Sequence, residues 1–222
     1  MVTEGNIHIE ERTRFPLIQF VPGKSMGIWP VTKFQFEQFL IESESGNDDY
    51  YEKILKLNPR VSYRPRSFKF FVKSIEGLII SGILYEEAVK YCEWLGPEYG
   101  VPTNSEWSLF EKFVANMIFP IEPPQGISDS AKEIWNNFAK MHCKEIDPQE
   151  VSCSALYGPI FSRIKYGVYE WIADSERNKG RGMPNQSFFK HAYTVNEPII
   201  LIKPEQRHHF MGFRVIKRDE WT

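Results

Sequence analysis

A stripe of apolar residues between positions 84 and 95 constrains the fold more than any other feature of this sequence. The residues recur at i, i+4, i+7, i+8 and i+11, a spacing that places them on one side of an α-helix. They are Leu84, Ala88, Tyr91, Cys92 and Leu95. Gly96 and Pro97 follow directly and indicate the helix end, because glycine suits the C-terminal cap and proline cannot continue the helix. The pattern predicts an amphipathic helix with a buried apolar side, on which Cys92 is a structural thiol.

Two further helices are predicted from their N-terminal caps. Thr32 is a suitable N-cap for a helix that carries Phe36 and Phe39 on one face. Thr103 and Glu106 have capping-box spacing, in which the threonine side chain accepts an amide proton of the first turn and the glutamate reaches back to the cap. Each threonine therefore indicates the start of a helix.

The remaining signals indicate short strands and one more helix. Residues 15–21 are mostly apolar and are closed by Pro22 and Gly23, a pair typical of a turn. Residues 199–202 and 213–216 are short apolar runs that we interpret as strands. A helix is predicted over residues 130–141.

Composition excludes several classes of protein. The 222 residues are 42% hydrophobic and 25% charged, which is ordinary for a globular protein, and they suffice for one domain over residues 1–222. The net charge of −2 gives no general attraction to nucleic acid or to anionic membranes, and no apolar run is long enough to span a bilayer. Three cysteines, an odd number, imply no disulfide framework. We therefore expect a cytoplasmic protein that has neither a membrane nor a nucleic acid as its partner.

Four motifs follow one another along the chain. They are MGIWPVT at Met26–Thr32, a helix that runs into VPTNSEW within Tyr85–Trp107, GVYEWIAD at Gly167–Asp174 and MGFRV at Met211–Val215. Over about residues 15–218, their order and spacing resemble the formylglycine-generating-enzyme family, also called the sulfatase-modifying factors. The resemblance implies an α+β fold, namely the formylglycine-generating-enzyme-like variant of the C-type lectin fold, as a single domain with much irregular structure.

The resemblance also implies roles for individual residues. In such a fold Trp94, Trp107 and Trp171 would be anchors of the core rather than ligand contacts. Arg214 would be a structural arginine, tied by hydrogen bonds to buried carbonyl groups or to a carboxylate.

The chain departs from the family at the residues that carry its chemistry. The family's oxidases use a pair of cysteines in the C-terminal third to bind copper and oxidise a substrate cysteine, and this needs thiolate ligands. No cysteine occurs between Glu170 and Thr222. We therefore predict no catalytic residues, and we do not expect formylglycine-generating activity.

A metal site is not predicted either. In the family's enzymes a loop near the Glu-Trp motif holds a calcium ion with oxygen ligands. Glu170 is retained here, but Arg163 stands where an oxygen ligand is expected. We predict no cofactor and no metal, although the resemblance leaves a calcium ion open at this loop.

Residues 175–209, which we call the partner-binding segment, are the candidate functional region. The segment is rich in Asn, Gln, Ser, Tyr, Phe and His, which are residue types that binding surfaces favour. In C-type-lectin-like folds the ligand surface is built from this part of the chain; a plain surface loop is the competing interpretation. The predicted partner-binding residues are Asn178, Arg181, Asn185, Gln186, Phe188, His191, Tyr193, His208 and His209.

The leading hypothesis is a non-catalytic recognition module for a protein or peptide partner. It would act as a subunit of a larger assembly, or as a diversified binding protein of the bacterial or phage retroelement type. The alternative is a metal-dependent oxidase or maturation factor of the same superfamily with a changed active site. Its ligands would come from His142, Cys143, Cys153, His191, His208 and His209. A third possibility is a degenerate lectin, in which Glu197 and Pro198 correspond to a sugar-binding motif.

Overall fold

The computed structural model describes about three fifths of the chain. The described residues are 6–43, 66–68, 79–115, 118–120, 122–143, 155–157, 169–174, 179–181, 199–201, 205, 207–208 and 211–219. Within these ranges the chain forms four helices and thirteen short strands, so its mixed α+β character is confirmed.

The helices and strands have the following bounds. The helices are α1 Lys33–Glu42, α2 Tyr85–Leu95, α3 Asn104–Ala115 and α4 Asp129–Cys143. The strands are β1 Ile7–Ile9, β2 Pro16–Val21, β3 Lys24–Gly27, β4 Arg66–Phe68, β5 Ile79–Ser81, β6 Tyr99–Gly100, β7 Ile118–Pro120, β8 Ala155–Tyr157, β9 Tyr169–Trp171, β10 Lys179–Arg181, β11 Ile199–Leu201, β12 Met211–Gly212 and β13 Ile216–Arg218. The predicted helices and the predicted first strand are all present, with ends shifted by one to two residues.

Two compact units make up the chain. The first unit consists of residues 1–29, 105–163 and 216–222, and the second consists of residues 30–104 and 164–215. Both units are assembled from segments that are distant in sequence. The expectation of a single domain stays a prediction.

The first unit contains an antiparallel sheet in which β1, β2, β3 and β13 are neighbours in that order. The predicted turn between β2 and β3 is present, and Gly23 has a φ of 71°, a conformation that glycine adopts without steric cost. Met26 on β3 is opposite both Ile18 on β2 and Ile216 on β13, so three buried residues from distant positions share one row. This row belongs to the core of the first unit.

Aromatic rings fill the rest of that core. Phe20 packs edge-on against Phe110 of α3, with ring centroids 5.6 Å apart. Trp29 contacts both Phe15 and Trp135, each at 6.1 Å and each edge-to-face. Such pairs are favourable because the positive edge of one ring meets the negative face of the other. The predicted core role of Trp107 on α3 is confirmed as well, since its side chain is buried.

In the second unit the residues that predicted α1 and α2 form the cap of α1 and the contacts between the two helices. Thr32 caps α1: its hydroxyl accepts the N–H of Gln35 at 3.3 Å, and the Gln35 side chain accepts the Thr32 N–H at 3.0 Å. Phe36 and Phe39 are buried, and both rings pack against Tyr91 of α2. The apolar stripe of α2 is therefore the surface on which α1 packs, and Cys92 is buried on it as predicted.

One predicted strand has the wrong bounds. Residues 213–216 were expected to form one strand, but β12 ends at Gly212 and β13 begins at Ile216. The strand is interrupted because β12 pairs in the sheet of the second unit and β13 pairs in the sheet of the first. The three residues between them are buried. Apolar character indicated burial correctly, but it does not show where a chain leaves one sheet for another.

Candidate partner-binding region

The region that carries the predicted site is built on a sheet of the second unit. Its strand order is β11-β10-β9-β12, in which β9 is one of the two inner strands. Glu170 of β9 is opposite Arg181 of β10 on one side and Gly212 of β12 on the other. Tyr169, Glu170 and Trp171 are each at most 1% exposed, so this central strand is buried on both faces.

A buried ion pair holds the acidic residue of the central strand. The Nε and Nη2 atoms of Arg214 donate to the two carboxylate oxygens of Glu170, each at 3.0 Å. The planar guanidinium matches the carboxylate in this bidentate arrangement, which is the strongest form of the contact. The expectation that Arg214 is tied to a buried carboxylate is confirmed. An arginine cation on both oxygens also opposes the binding of a calcium ion by the same carboxylate.

The start of the partner-binding segment is anchored by Trp171, Ala173 and Asp174, which precede it. The indole N–H of Trp171 donates to the carbonyl of Ile83 at 2.7 Å, and its buried ring confirms the predicted core role. The Ala173 N–H donates to the carbonyl of Pro102 at 2.8 Å. The Asp174 carboxylate accepts the N–H of Asn104, the first residue of α3, at 3.3 Å, where a negative charge is favoured.

Two antiparallel strands, β10 and β11, lie within the segment. Lys179 of β10 is opposite Leu201 of β11, and Arg181 is opposite Ile199. The two residues that flank positions 182–198 are therefore Cα partners across the ladder. β11 is the last strand of this sheet among the described residues, and β10 joins it to the buried β9.

A second buried ion pair anchors the end of the segment. The guanidinium of Arg207 forms a bidentate contact with the Glu87 carboxylate on α2, in which Nη1 meets Oε2 at 2.7 Å and Nη2 meets Oε1. Nη1 also donates to the carbonyl of Gly82 at 2.7 Å. Both charged side chains are almost entirely buried. Glu87 is itself held in place, because its Oε2 also accepts the N–H of Leu84 at 2.9 Å.

The predicted site residues divide into two sets. Arg181 ends β10, and His208 is half-buried next to Arg207, with its carbonyl accepting the Met211 N–H at 2.9 Å. The others lie outside the described residues: Asn178, Asn185, Gln186, Phe188, His191, Tyr193 and His209. The structure therefore places Arg181 and His208 in the same unit, near the two anchored parts of the segment.

The ligands of the metal-dependent alternative are placed only in part. His142 and Cys143 are the last residues of α4, in the first unit, and His208 is in the second. Cys153, His191 and His209 lie outside the described residues. Among the residues that the structure does describe, no group of three His, Cys, Asp or Glu side chains could hold a metal ion.

Sequence reasoning missed the pair of Arg207 and Glu87, although the sequence carries a signal for it. Glu87 is three residues after Leu84 and four residues before Tyr91. This spacing places its carboxylate on the apolar side of α2. A buried carboxylate requires a cation or several donors. The signal predicts that a partner exists, but its position 120 residues away is visible only in the fold.

No model of a known protein family matches the sequence, and no curated protein matches it. Within the part of the chain that is described, no helix has the length and apolarity needed to cross a bilayer.

Proposed function

We propose that the chain is a non-catalytic recognition module that binds a protein or peptide partner through the partner-binding segment. We further propose that it has the formylglycine-generating-enzyme-like variant of the C-type lectin fold. The observation that carries the binding proposal is the anchoring of the segment on buried residues at its start and at its end.

Anchoring matters because binding has to overcome the loss of conformational freedom. Each ordered, flexible side chain and each ordered loop residue reduces the affinity that contacts can supply. At its start the segment follows Asp174 and the buried Trp171, and at its end Arg207 is tied to Glu87. Ends that are already ordered add no ordering cost when a partner binds, and this supports a recognition role for a stretch whose sequence is rich in polar and aromatic residues.

The fold proposal is supported by the residues that the family resemblance singled out. Trp171 is a residue that the resemblance assigns to the core, and it is buried with its indole N–H hydrogen-bonded. Glu170, which precedes it in the same motif, is buried and paired as well. Arg214, from the last motif, is the arginine that pairs with Glu170. The scaffold residues thus have structural partners, whereas the oxidase cysteine pair is missing from the sequence after Glu170. Because the scaffold residues are present and the reactive thiols are not, the recognition hypothesis is favoured over the catalytic one.

The proposal is tested by purifying the untagged protein from its native host and identifying co-eluting proteins and bound metals by mass spectrometry. We expect one protein partner in stoichiometric amount, with chemical cross-links that map to residues 175–209. The bacterial or phage origin and the cytoplasmic location of the complex stay predictions.

A matched pair of variants shows whether the partner uses this segment. The test variant replaces Asn185, Phe188 and Tyr193 with alanine, and we expect it to lose the partner. The control replaces Glu86 and Lys90, an exposed i,i+4 ion pair on α2, with alanine, and should retain the partner. A chain that stays monomeric in its native lysate, or a test variant that binds like the control, would contradict the proposal. Stoichiometric copper or iron would instead favour the metal-dependent alternative.

A further inference from the structure

Helix α1 carries apolar side chains on two opposite faces. Phe36 and Phe39 are buried and pack against α2. On the other face Phe34 is 39% exposed and Ile41 is 78% exposed. These two residues are seven positions apart, which is about two helical turns, so they lie in line and roughly 10 Å apart along the axis. We call the pair of Phe34 and Ile41 the α1 stripe.

The α1 stripe is unusual for the part of the chain that the structure describes. The exposed large hydrophobic residues there are Phe34, Ile41 and Leu109, so two of the three are on this helix and on the same face. A single exposed apolar residue is ordinary, whereas aligned ones favour a contact with another surface. The stripe alone does not identify that surface.

The charges at the two ends of α1 supply the second observation, because they oppose the dipole of their own helix. Acidic residues are favoured in the first turn of a helix and basic residues in the last turn. In α1 the first residue is Lys33 and no acidic residue lies in the first turn, while the last residue is Glu42 and no basic residue lies in the last turn. Within the helix, Lys33 lies 3.4 Å from Glu37, and Glu42 accepts a hydrogen bond from Gln38 at 2.8 Å. The sign of each terminal charge is still the reverse of what an isolated helix favours.

A second, antiparallel copy of α1 turns this arrangement into a favourable one. If a two-fold axis passes between positions 37 and 38, Phe34 of each copy faces Ile41 of the other, and Lys33 faces Glu42. Each Lys33 then lies at the C-terminal end of the other helix, and each Glu42 lies at the N-terminal end, where the dipole favours these charges. A parallel pair would instead place like charges opposite each other at both ends.

We propose that the α1 stripe is a homodimer interface, through which two copies of this chain pack with their α1 helices antiparallel. The occupant is a second copy because the surface is complementary to itself in both its apolar residues and its charges. Two apolar side chains per copy form a small contact, of the class that buries less than about 1,200 Å², so the association is weak and reversible. The proposal does not rest on the proposed function, since no residue of the partner-binding segment takes part.

The first test removes the apolar contact, and sedimentation velocity over a wide range of protein concentrations gives the dimer Kd of the full chain. Ile41→Ser changes the most exposed residue of the stripe, so the fold of the monomer should be unaffected. A two-fold interface loses this side chain twice, and the Kd should rise by about tenfold or more. The matched control is Leu109→Ser on α3, which changes a side chain that is 48% exposed and should leave the Kd at its wild-type value.

The second test examines the antiparallel orientation by charge reversal. Lys33→Glu places two carboxylates opposite each other at both ends of the contact, and Glu42→Lys places two ammonium groups there. Each single variant should dimerise about fivefold more weakly than the wild type or worse, since two attractive pairs become repulsive. An equimolar mixture of the two single variants should recover the wild-type association, and so should the double variant, because in both an acidic residue again faces a basic one.

Several results would overturn the proposal. A wild-type chain that sediments as a monomer at every concentration would do so, and so would an Ile41→Ser variant that dimerises like the wild type, since another surface would then join the copies. Equal weakening by Leu109→Ser would show non-specific apolar association in place of a defined interface. Single charge variants that dimerise like the wild type, or a mixture that dimerises no better than each variant alone, would show that the helices are not paired as proposed.

Discussion

Arg214 and Arg218 are separated by four positions, and each forms a bidentate ion pair with a glutamate in its own unit. In the second unit Arg214 meets Glu170 at 3.0 Å through two nitrogens. In the first unit Arg218 meets Glu106 at 2.9 and 2.7 Å in the same manner. The contacts differ in burial: the Arg214 and Glu170 side chains are 1% and 0% exposed, whereas Arg218 is 36% and Glu106 is 7% exposed.

This difference shows that geometry alone does not determine what an ion pair contributes. Glu170 is shielded from solvent, so removal of Arg214 leaves a buried charge without its partner. Around Glu106, solvent reaches the partner, and Lys24 provides a second cation 2.9 Å from Oε1. We therefore expect the second unit to depend on the pair of Arg214 and Glu170, and the first to tolerate the loss of the pair of Arg218 and Glu106.

The largest effect is expected for Arg214→Met. The substitution should lower the free energy of unfolding by about 3–5 kcal/mol, because it leaves the Glu170 carboxylate buried and unpaired. The measurement is urea denaturation of the variant alongside the wild type, followed by tryptophan fluorescence. The double variant Glu170→Leu with Arg214→Met is the control, since it removes both charges and should recover much of the lost stability. A double variant as unstable as the single one would show that the loss comes from packing.

Trp171→Phe sharpens the comparison, because Trp171 follows Glu170 on the same buried strand. The change leaves the Ile83 carbonyl without its donor at 2.7 Å, and a buried acceptor without a partner costs about 1–3 kcal/mol. Calorimetry should show a lowered unfolding midpoint, with the bidentate pair still in place. If the variant is as stable as the wild type, the sensitivity of the second unit belongs to the ion pair alone and not to strand β9 as a whole.

The smallest effect is expected for Arg218→Met. A partly exposed pair contributes about 1 kcal/mol or less, and Lys24 remains beside Glu106 in the variant. Raising the salt concentration to about 1 M should reduce the difference from the wild type, since the Debye length then falls to about 3 Å. The same salt titration should leave the effect of Arg214→Met nearly unchanged. Equal losses for Arg214→Met and Arg218→Met at low salt would break the comparison.

Local signals predicted the helices because each signal acts within one turn. The Thr32 hydroxyl caps α1, and Gly96, with a φ of 152°, ends α2 in a conformation that suits glycine. The stripe that includes Tyr91 and Cys92 is buried as its spacing indicated. Such features depend on neighbours three or four residues away, and these are visible in the sequence.

Contacts between distant residues were not predictable in the same way. The resemblance implied a carboxylate or carbonyl partner for Arg214, but only the fold identifies Glu170 in particular. The pairing of Arg207 with Glu87 joins residues 120 positions apart, and no local pattern specifies such a register. For the candidate site, composition indicated the segment, and the fold supplied the anchors that composition cannot show.

The pairing of β3 with β13 has a consequence for how the protein is made. Ile216 completes the row that Met26 and Ile18 begin, yet it is synthesised long after them. At roughly 5–20 residues per second, translation leaves β3 without its second neighbour for about 10–40 seconds. During that interval the nascent chain presents an open strand edge that carries the apolar Met26, and such an edge can pair with another chain. The cell has to protect this edge until β13 arrives, so the yield of folded protein depends on chaperone supply and on translation speed as well as on stability.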